Sequence, residues 1–217
     1  MYYLQMKKLL FVKPDLFLPN DITIVGSSKN ILEKKNGKKI QKSKFIVRFN
    51  YAKIKGFEQH TGSKTNMMVL NNNTYGFIKK KNKQLKKIND HLIISPLQLN
   101  LMYSWHTKFK TDLSLYFLEE KKYQYFLALK LIKNFGIFLC LLKILIRRKT
   151  FSIGFCFILL CILSGIKSDI YGFDLEEDMT KRKHYYKKLK IGNVHDLVAE
   201  HSILNKLKNH KLINFYY

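Results

Sequence analysis

The sequence predicts an α/β fold, a sandwich built on a mainly parallel sheet. Short β-branched runs of strand length recur along the chain and alternate with segments of helical pattern, which is the signature of strands joined by helical crossovers. The length of 217 residues, nearly half of them hydrophobic, suits one compact unit spanning 1–217, with no internal repeat and no proline-rich linker to divide it.

Ile22-Thr23-Ile24-Val25 is a β-branched run ending at Gly26, so it reads as a buried strand entering the polar loop Ser27-Ser28-Lys29-Asn30. Ile31 to Ser43 reads as a charged helix or loop broken at Gly37. Phe45 to Phe49 and Asn66 to Leu70 read as the second and third strands, the third running into the polar turn Asn71-Asn72-Asn73-Thr74. Lys79 to Lys87 reads as an exposed segment. His91 to Ser95 is a fourth strand, stopped by Pro96. From Ser114 to Lys133 the pattern turns helical, with Leu115, Leu118, Tyr125 and Leu129 on one side. Gly154 to Leu163 is apolar all round, so it is expected to be a fully buried helix. Asp169 to Phe173 reads as a short strand, and Lys181 to Lys190 as a basic, mobile segment. Asp196 is placed to cap a last helix whose Leu197, Val198, Leu204 and Leu207 share a face.

Charge narrows the partners. The formal net charge is +25, from 40 basic and 15 acidic residues. Nearly all the basic residues are lysines, which are solvated point charges; arginine is the usual reader of bases and of bidentate phosphates. The balance indicates an anionic partner or a solvated surface, and no nucleic acid is expected. A membrane surface or an anionic glycan remain open. Cys140, Cys156 and Cys161 lie in apolar runs without CxxC spacing, so neither a zinc site nor a disulfide framework is indicated. Buried thiols in a reducing compartment are the expectation. The apolar run Leu9 to Val12 is too short for a signal peptide. Phe135–Ile146 and Phe151–Leu163 are each shorter than the roughly 20 residues that span a bilayer, so both read as core elements. The expected location is cytoplasmic, with peripheral attachment at the inner membrane face.

The loop after the first strand is where open α/β sheets bind ligands. Its small residues let a phosphate approach the backbone, and Ser27, Ser28 and Asn30 supply hydrogen bonds. Downstream stand Phe45-Ile46-Val47-Arg48-Phe49-Asn50, then Gly56-Phe57-Glu58 and Gly62-Ser63-Lys64-Thr65. In this order the segments from Ile22 to Thr65 resemble the large sialylmotif of the sialyltransferases, glycosyltransferase family 29. Phe151-Ser152-Ile153-Gly154, its apolar helix and Asp169-Ile170-Tyr171-Gly172-Phe173 resemble the small sialylmotif. His184-Tyr185-Tyr186 resembles the third motif, and His195 with Glu200 the very small one.

The resemblance implies a Rossmann-like sheet of the GT-A-like variant found in sialyltransferases. It implies an inverting, metal-independent transfer of sialic acid from CMP-sialic acid to a glycan or glycolipid hydroxyl, with no cofactor. The related CMP-Kdo is the alternative donor. Ser27, Ser28, Asn30, Asn50, Ser152 and Gly154 match donor-binding positions. His184 matches the histidine that bonds the leaving phosphate, and His195 the catalytic base. Glu200 is expected to stabilise a helix or polarise a neighbour. The sequence departs from the family pattern at Ser27 and Lys29 in the loop, at Phe151 and Ile153 in the small motif, and at Lys187 after the third motif. The cysteines of the animal enzymes' disulfide are absent.

The chemistry agrees with those roles. A CMP-linked keto-acid sugar carries a carboxylate and leaves behind a phosphate, and a basic site accommodates both. The acceptor hydroxyl must lose a proton, and histidine titrates near neutral pH. The competing class is a basic module that binds membrane or nucleic acid without catalysis, and the Arg-aromatic face that it would need is not evident.

Overall fold

The computed structural model describes residues 18–50, 52–71, 90–95, 114–119, 152–163, 165–173, 184–186, 197–208 and 212–216. Among them, seven strands form one sheet: β1 (Asp21–Val25), β2 (Ile46–Phe49), β3 (Met67–Asn71), β4 (Asp90–Ser95), β5 (Ser114–Glu119), β6 (Lys167–Tyr171) and β7 (Ile213–Tyr216). Their order is β5-β4-β3-β2-β1-β6-β7, and every pairing is parallel. The helices are α1 (Gly37–Gln41), α2 (Glu58–Thr61), α3 (Ile153–Leu163) and α4 (Leu197–Leu207), with a 3-10 turn at Lys29–Leu32.

Strand alternation assigns the two faces of the sheet. Ile22 and Ile24 of β1, Val47 and Phe49 of β2 and Ile170 of β6 pack into the larger core under α3 and α4. Val25, Ile46 and Tyr171 point the other way, into a smaller core with Ile31 and Ile40 from the 3-10 turn and α1. Burial on both faces explains why β1 and β2 carry few polar residues. Helix α3 behaves as its composition dictates: Phe155 to Leu159, Cys161 and Ile162 are all buried. Cys156 and Cys161 are buried and in no disulfide, and burial pushes the Cys161 thiol up in pKa. No helix among the described residues is long and apolar enough to cross a membrane.

Three expectations are corrected. Ser114–Glu119 is a strand, not the start of a helix; its backbone pairs residue for residue with Asp90–Ser95. Leu115 and Leu118 fit a helical spacing and a strand alike, and Tyr125 and Leu129, which completed the helical pattern, lie outside the described residues. The break expected at Gly37 is present: the 3-10 turn Lys29–Leu32 ends before it and α1 begins at it. Glycine is needed there because a Cβ would lie 2.0 Å from the Glu58 carbonyl oxygen. The strand expected at Asp169–Phe173 runs two residues earlier, because Gly172 turns out of it at φ +67°. Val198 is exposed, and the buried face of α4 runs through Ala199, Glu200, Ile203, Leu204 and Leu207. The strand β7 was not anticipated. The Lys79–Lys87, Phe135–Ile146 and Asp196 readings fall outside the described residues, as does Cys140.

Candidate active site

The sheet order creates a switch point. From β1 the chain builds outward to β2, β3, β4 and β5, then returns to lay β6 against the other edge of β1. At such a point a crevice opens beyond the carboxyl ends of the two strands. The segments leaving those ends are Gly26–Asn30 after β1 and Gly172–Phe173 after β6.

Three hydrogen bonds lace these segments together. Gly26 N–H donates to the Tyr171 carbonyl at 2.7 Å, and Ser28 N–H to the Gly172 carbonyl at 2.9 Å. The Asn30 amide donates through Nδ2 to the Phe173 carbonyl at 3.1 Å. Its Oδ1 is buried with no hydrogen-bond partner among the described residues. The approach requires glycine at 26, where a Cβ would fall 2.3 Å from the Gly172 oxygen and 2.7 Å from the Phe173 ring. A Cβ at Gly154, in the first turn of α3, would meet the same ring at 2.9 Å. Phe173 is therefore wedged between the β1 loop and the start of α3, so Asn30 and Ser152 belong to one end of the sheet. Phe49 and Phe173 pack edge to face at 6.0 Å and tie this wedge to the core.

Ser152 caps α3, accepting the Phe155 N–H at its Oγ across 3.3 Å. Its own N–H and hydroxyl donate to the two carboxylate oxygens of Glu200, at 2.5 and 2.7 Å. Glu200 is buried in the first turn of α4, so it locks α4 to the start of α3 where the helix dipole favours a negative charge. Glu200→Gln puts an amide donor against these donors. The expected loss is about 2 kcal/mol of folding stability, read by urea unfolding; a midpoint equal to the native one would contradict the clamp.

His184 reaches the site from far along the chain. Its Nδ1 lies 2.6 Å from Ser27 Oγ, and its backbone bridges Ser28 in antiparallel fashion. Tyr185 N–H donates to the Ser27 carbonyl at 3.1 Å. The Tyr186 ring stacks on the imidazole at 5.5 Å. Tyr185 packs edge to face on Phe57 at 4.8 Å, and its hydroxyl donates to the Lys53 carbonyl at 2.6 Å. Burial pushes the Tyr185 phenol up to about 12.

Asn50 sits at the carboxyl end of β2 in the left-handed region, φ +47°, which asparagine tolerates better than most residues. Its N–H donates to the Val69 carbonyl at 3.0 Å. His195 lies outside the described residues. His201 is buried, with Nε2 3.2 Å from the Asn205 amide nitrogen, as suits a core histidine. Among the described residues no three His, Cys, Asp or Glu side chains group as metal ligands.

The residue most underrated by sequence reasoning is Arg48. It is 0% exposed. Its Nε donates to Thr65 Oγ1 at 2.9 Å and to the Lys64 carbonyl at 3.3 Å. Its Nη2 donates to the carbonyls of Thr61 at 2.7 Å, Gly62 at 3.1 Å and Lys64 at 3.1 Å. Burial lowers its pKa to about 10, and nearby Tyr185 opposes that, so it stays charged at neutral pH. The available signal was an arginine inside an apolar strand followed by a glycine- and threonine-containing loop.

No curated protein matches the chain in sequence. Among solved structures it resembles a mammalian sialyltransferase in complex with Gal-beta-1-3GalNAc-ortho-nitrophenol, at 17% identity and a TM-score of 0.58, covering 91% of this chain and 69% of that one. It also resembles a crystal structure of a mammalian sialyltransferase at 16% identity and a TM-score of 0.59, covering 91% of this chain and 68% of that one. At these identities the likeness is one of fold. Residues 21–212 match the profile of glycosyltransferase family 29 (sialyltransferase). A parallel sheet with its crevice beside β1 and β6, and a family match over most of its length, together place this chain in glycosyltransferase family 29, the sialyltransferases.

Proposed function

We propose that the protein transfers a sialic acid from CMP-sialic acid to a hydroxyl of a glycan or glycolipid, with inversion and without a metal or other cofactor. The observation that supports this best is the meeting of the Gly26–Asn30 loop, His184 and the start of α3 at the switch point of the sheet. At the start of α3 the Ser152 and Phe155 N–H groups are taken by Glu200 and by the Ser152 hydroxyl, so the Ile153 and Gly154 N–H groups are the ones that suit an anionic ligand. In this reading His184 bonds the phosphate that leaves as CMP, and Asn30 and Asn50 hold the nucleotide. His195 takes the proton from the acceptor hydroxyl. The Gal-beta-1-3GalNAc-ortho-nitrophenol held by one of the solved structures favours a glycan acceptor here. The lysines from Lys29 to Lys55 are all exposed, which favours attachment to an anionic membrane surface.

The test is a binding screen of CMP, CMP-sialic acid and CMP-Kdo against UDP- and GDP-sugars. Binding confined to the CMP compounds is expected, and preference for a UDP- or GDP-sugar would overturn the reading. CMP-Kdo bound more tightly than CMP-sialic acid would change the sugar and keep the nucleotide. Among variants, His195→Ala is expected to lower turnover about 10²–10⁴-fold with donor affinity kept. His184→Ala should weaken both CMP binding and turnover, because its partner is present in ground and transition states. Asn50→Ala should weaken donor binding most clearly. Near-native turnover in His195→Ala with a verified acceptor would remove that residue from the mechanism.

A further inference from the structure

Ser27 stands where the family pattern has asparagine, and its hydroxyl lies 2.6 Å from His184 Nδ1. The contact is built into the backbone. Ser28 bridges His184, and the Ser27 carbonyl accepts the Tyr185 N–H at 3.1 Å. The ring is also held across one face by Tyr186. Both its plane and one of its nitrogens are therefore fixed before any ligand arrives.

We propose that Ser27 is a positioning residue that sets the tautomer of His184: its hydroxyl donates to Nδ1, the neutral ring carries its hydrogen on Nε2, and Nε2–H is the group presented to a nucleotide phosphate. The chemistry of the partner requires this arrangement. A phosphate oxygen only accepts, so a neutral imidazole can bond it only through a nitrogen that bears hydrogen. The nitrogen engaged by Ser27 is Nδ1, so the donor is Nε2, and a neutral ring has a hydrogen there only when Nδ1 accepts.

The Ser27–His184 contact stands on geometry, while the choice of tautomer and the phosphate partner rest on the function proposed above; the experiment separates the two. Imidazole nitrogen NMR of the full chain, with the His184 signals identified by their loss in His184→Ala, reads the tautomer without any nucleotide. The native protein is expected to show hydrogen on Nε2 at pH 7.5. Ser27→Ala should give a mixture of tautomers, and Ser27→Thr should restore the native pattern. A native ring with hydrogen on Nδ1, or a Ser27→Ala spectrum identical to the native one, would overturn the proposal.

The second arm is a double-mutant cycle on CMP affinity. Ser27→Ala is expected to weaken binding about tenfold, the net worth of an ordinary hydrogen bond. In the His184→Ala background the same change should do nothing more, because Ser27 acts through the ring. Losses that multiply would show a direct contact with the ligand and would overturn the positioning role. Absence of CMP binding by the native protein, beside the expected NMR pattern, would sustain the tautomer assignment and remove the nucleotide reading.

Discussion

Arg48→Met is expected to unfold at a midpoint about 6–12 °C below the native protein. The reasoning weighs two opposing terms. A buried guanidinium is expensive, and replacing a buried ion by an apolar side chain is sometimes neutral when its partners leave with it. Here the partners do not leave. The carbonyl of Thr61 ends α2, and the carbonyls of Gly62 and Lys64 and the hydroxyl of Thr65 belong to the loop that follows; a thioether side chain would donate nothing to them. Each buried acceptor left unsatisfied costs about 1–3 kcal/mol. Even after partial relaxation the loss is at least about 3 kcal/mol, out of the 5–15 kcal/mol typical of a folded domain. Arg48→Lys should recover little, because a single ammonium cannot reproduce the fan of the guanidinium. The measurement is thermal unfolding followed by circular dichroism. A midpoint within about 2 °C of native, less than the shift of a single kcal/mol, would show that the loop does not depend on Arg48.

Gly26→Ala is expected to abolish measurable CMP binding and to lower stability by about 1–3 kcal/mol, the usual cost of overpacking. Its Cβ would sit 2.3 Å from the Gly172 oxygen, so backbone must move and not merely a side chain. That carbonyl also accepts the Ser28 N–H, and the next one accepts the Asn30 amide. A shift there disturbs the segments that flank the crevice. Gly165→Ala supplies the contrast. Gly165 has φ +73° and nothing within 4 Å of the added carbon, so only backbone strain of about 1–2 kcal/mol is expected, with CMP affinity unchanged. Isothermal calorimetry on the two variants reads the difference. Equal CMP affinities would mean that the close approach of the β1 and β6 loops is irrelevant to the ligand.

The legible part of the fold was the part in which local pattern and tertiary burial agree. β1 and β2 were visible because strands covered on both faces carry few polar positions, and β3 and β4 because each holds an apolar run of strand length. Helix α3 was visible because a helix buried all round has no polar stripe. Where one signal serves two structures, the sequence misled. Ser114–Glu119 contains leucines and aromatics that satisfy a short helical or a strand pattern, and only pairing with β4 decides between them. The four residues of β7 include Asn214 in their middle, and Tyr216 gains its place by stacking on Tyr171 at 4.6 Å, a partner far away in sequence. The same limit applies to the site. Motif order pointed to Ser27, Asn30, Ser152 and His184, and the structure brings their segments to one end of the sheet. The pairing of Ser27 with His184 spans 157 positions, and that of Ser152 with Glu200 spans 48. No local periodicity encodes contacts of that separation.

The strand order also carries a consequence for synthesis. β1 is interior to the finished sheet, yet its neighbour β6 follows in sequence only after β2, β3, β4 and β5. A nascent chain that has assembled β5 through β1 displays β1 as a bare edge, rich in β-branched residues and open to pairing with other chains. Roughly 50 residues separate the end of β5 from the start of β6, which at about 5–20 residues per second is about 2–10 s of translation. The crevice cannot close in that interval, because half of it is Gly172–Phe173. Chaperone demand should therefore be concentrated in this window, and ribosome-stalled chains ending shortly after β5 should aggregate more readily than chains that include β6 and β7.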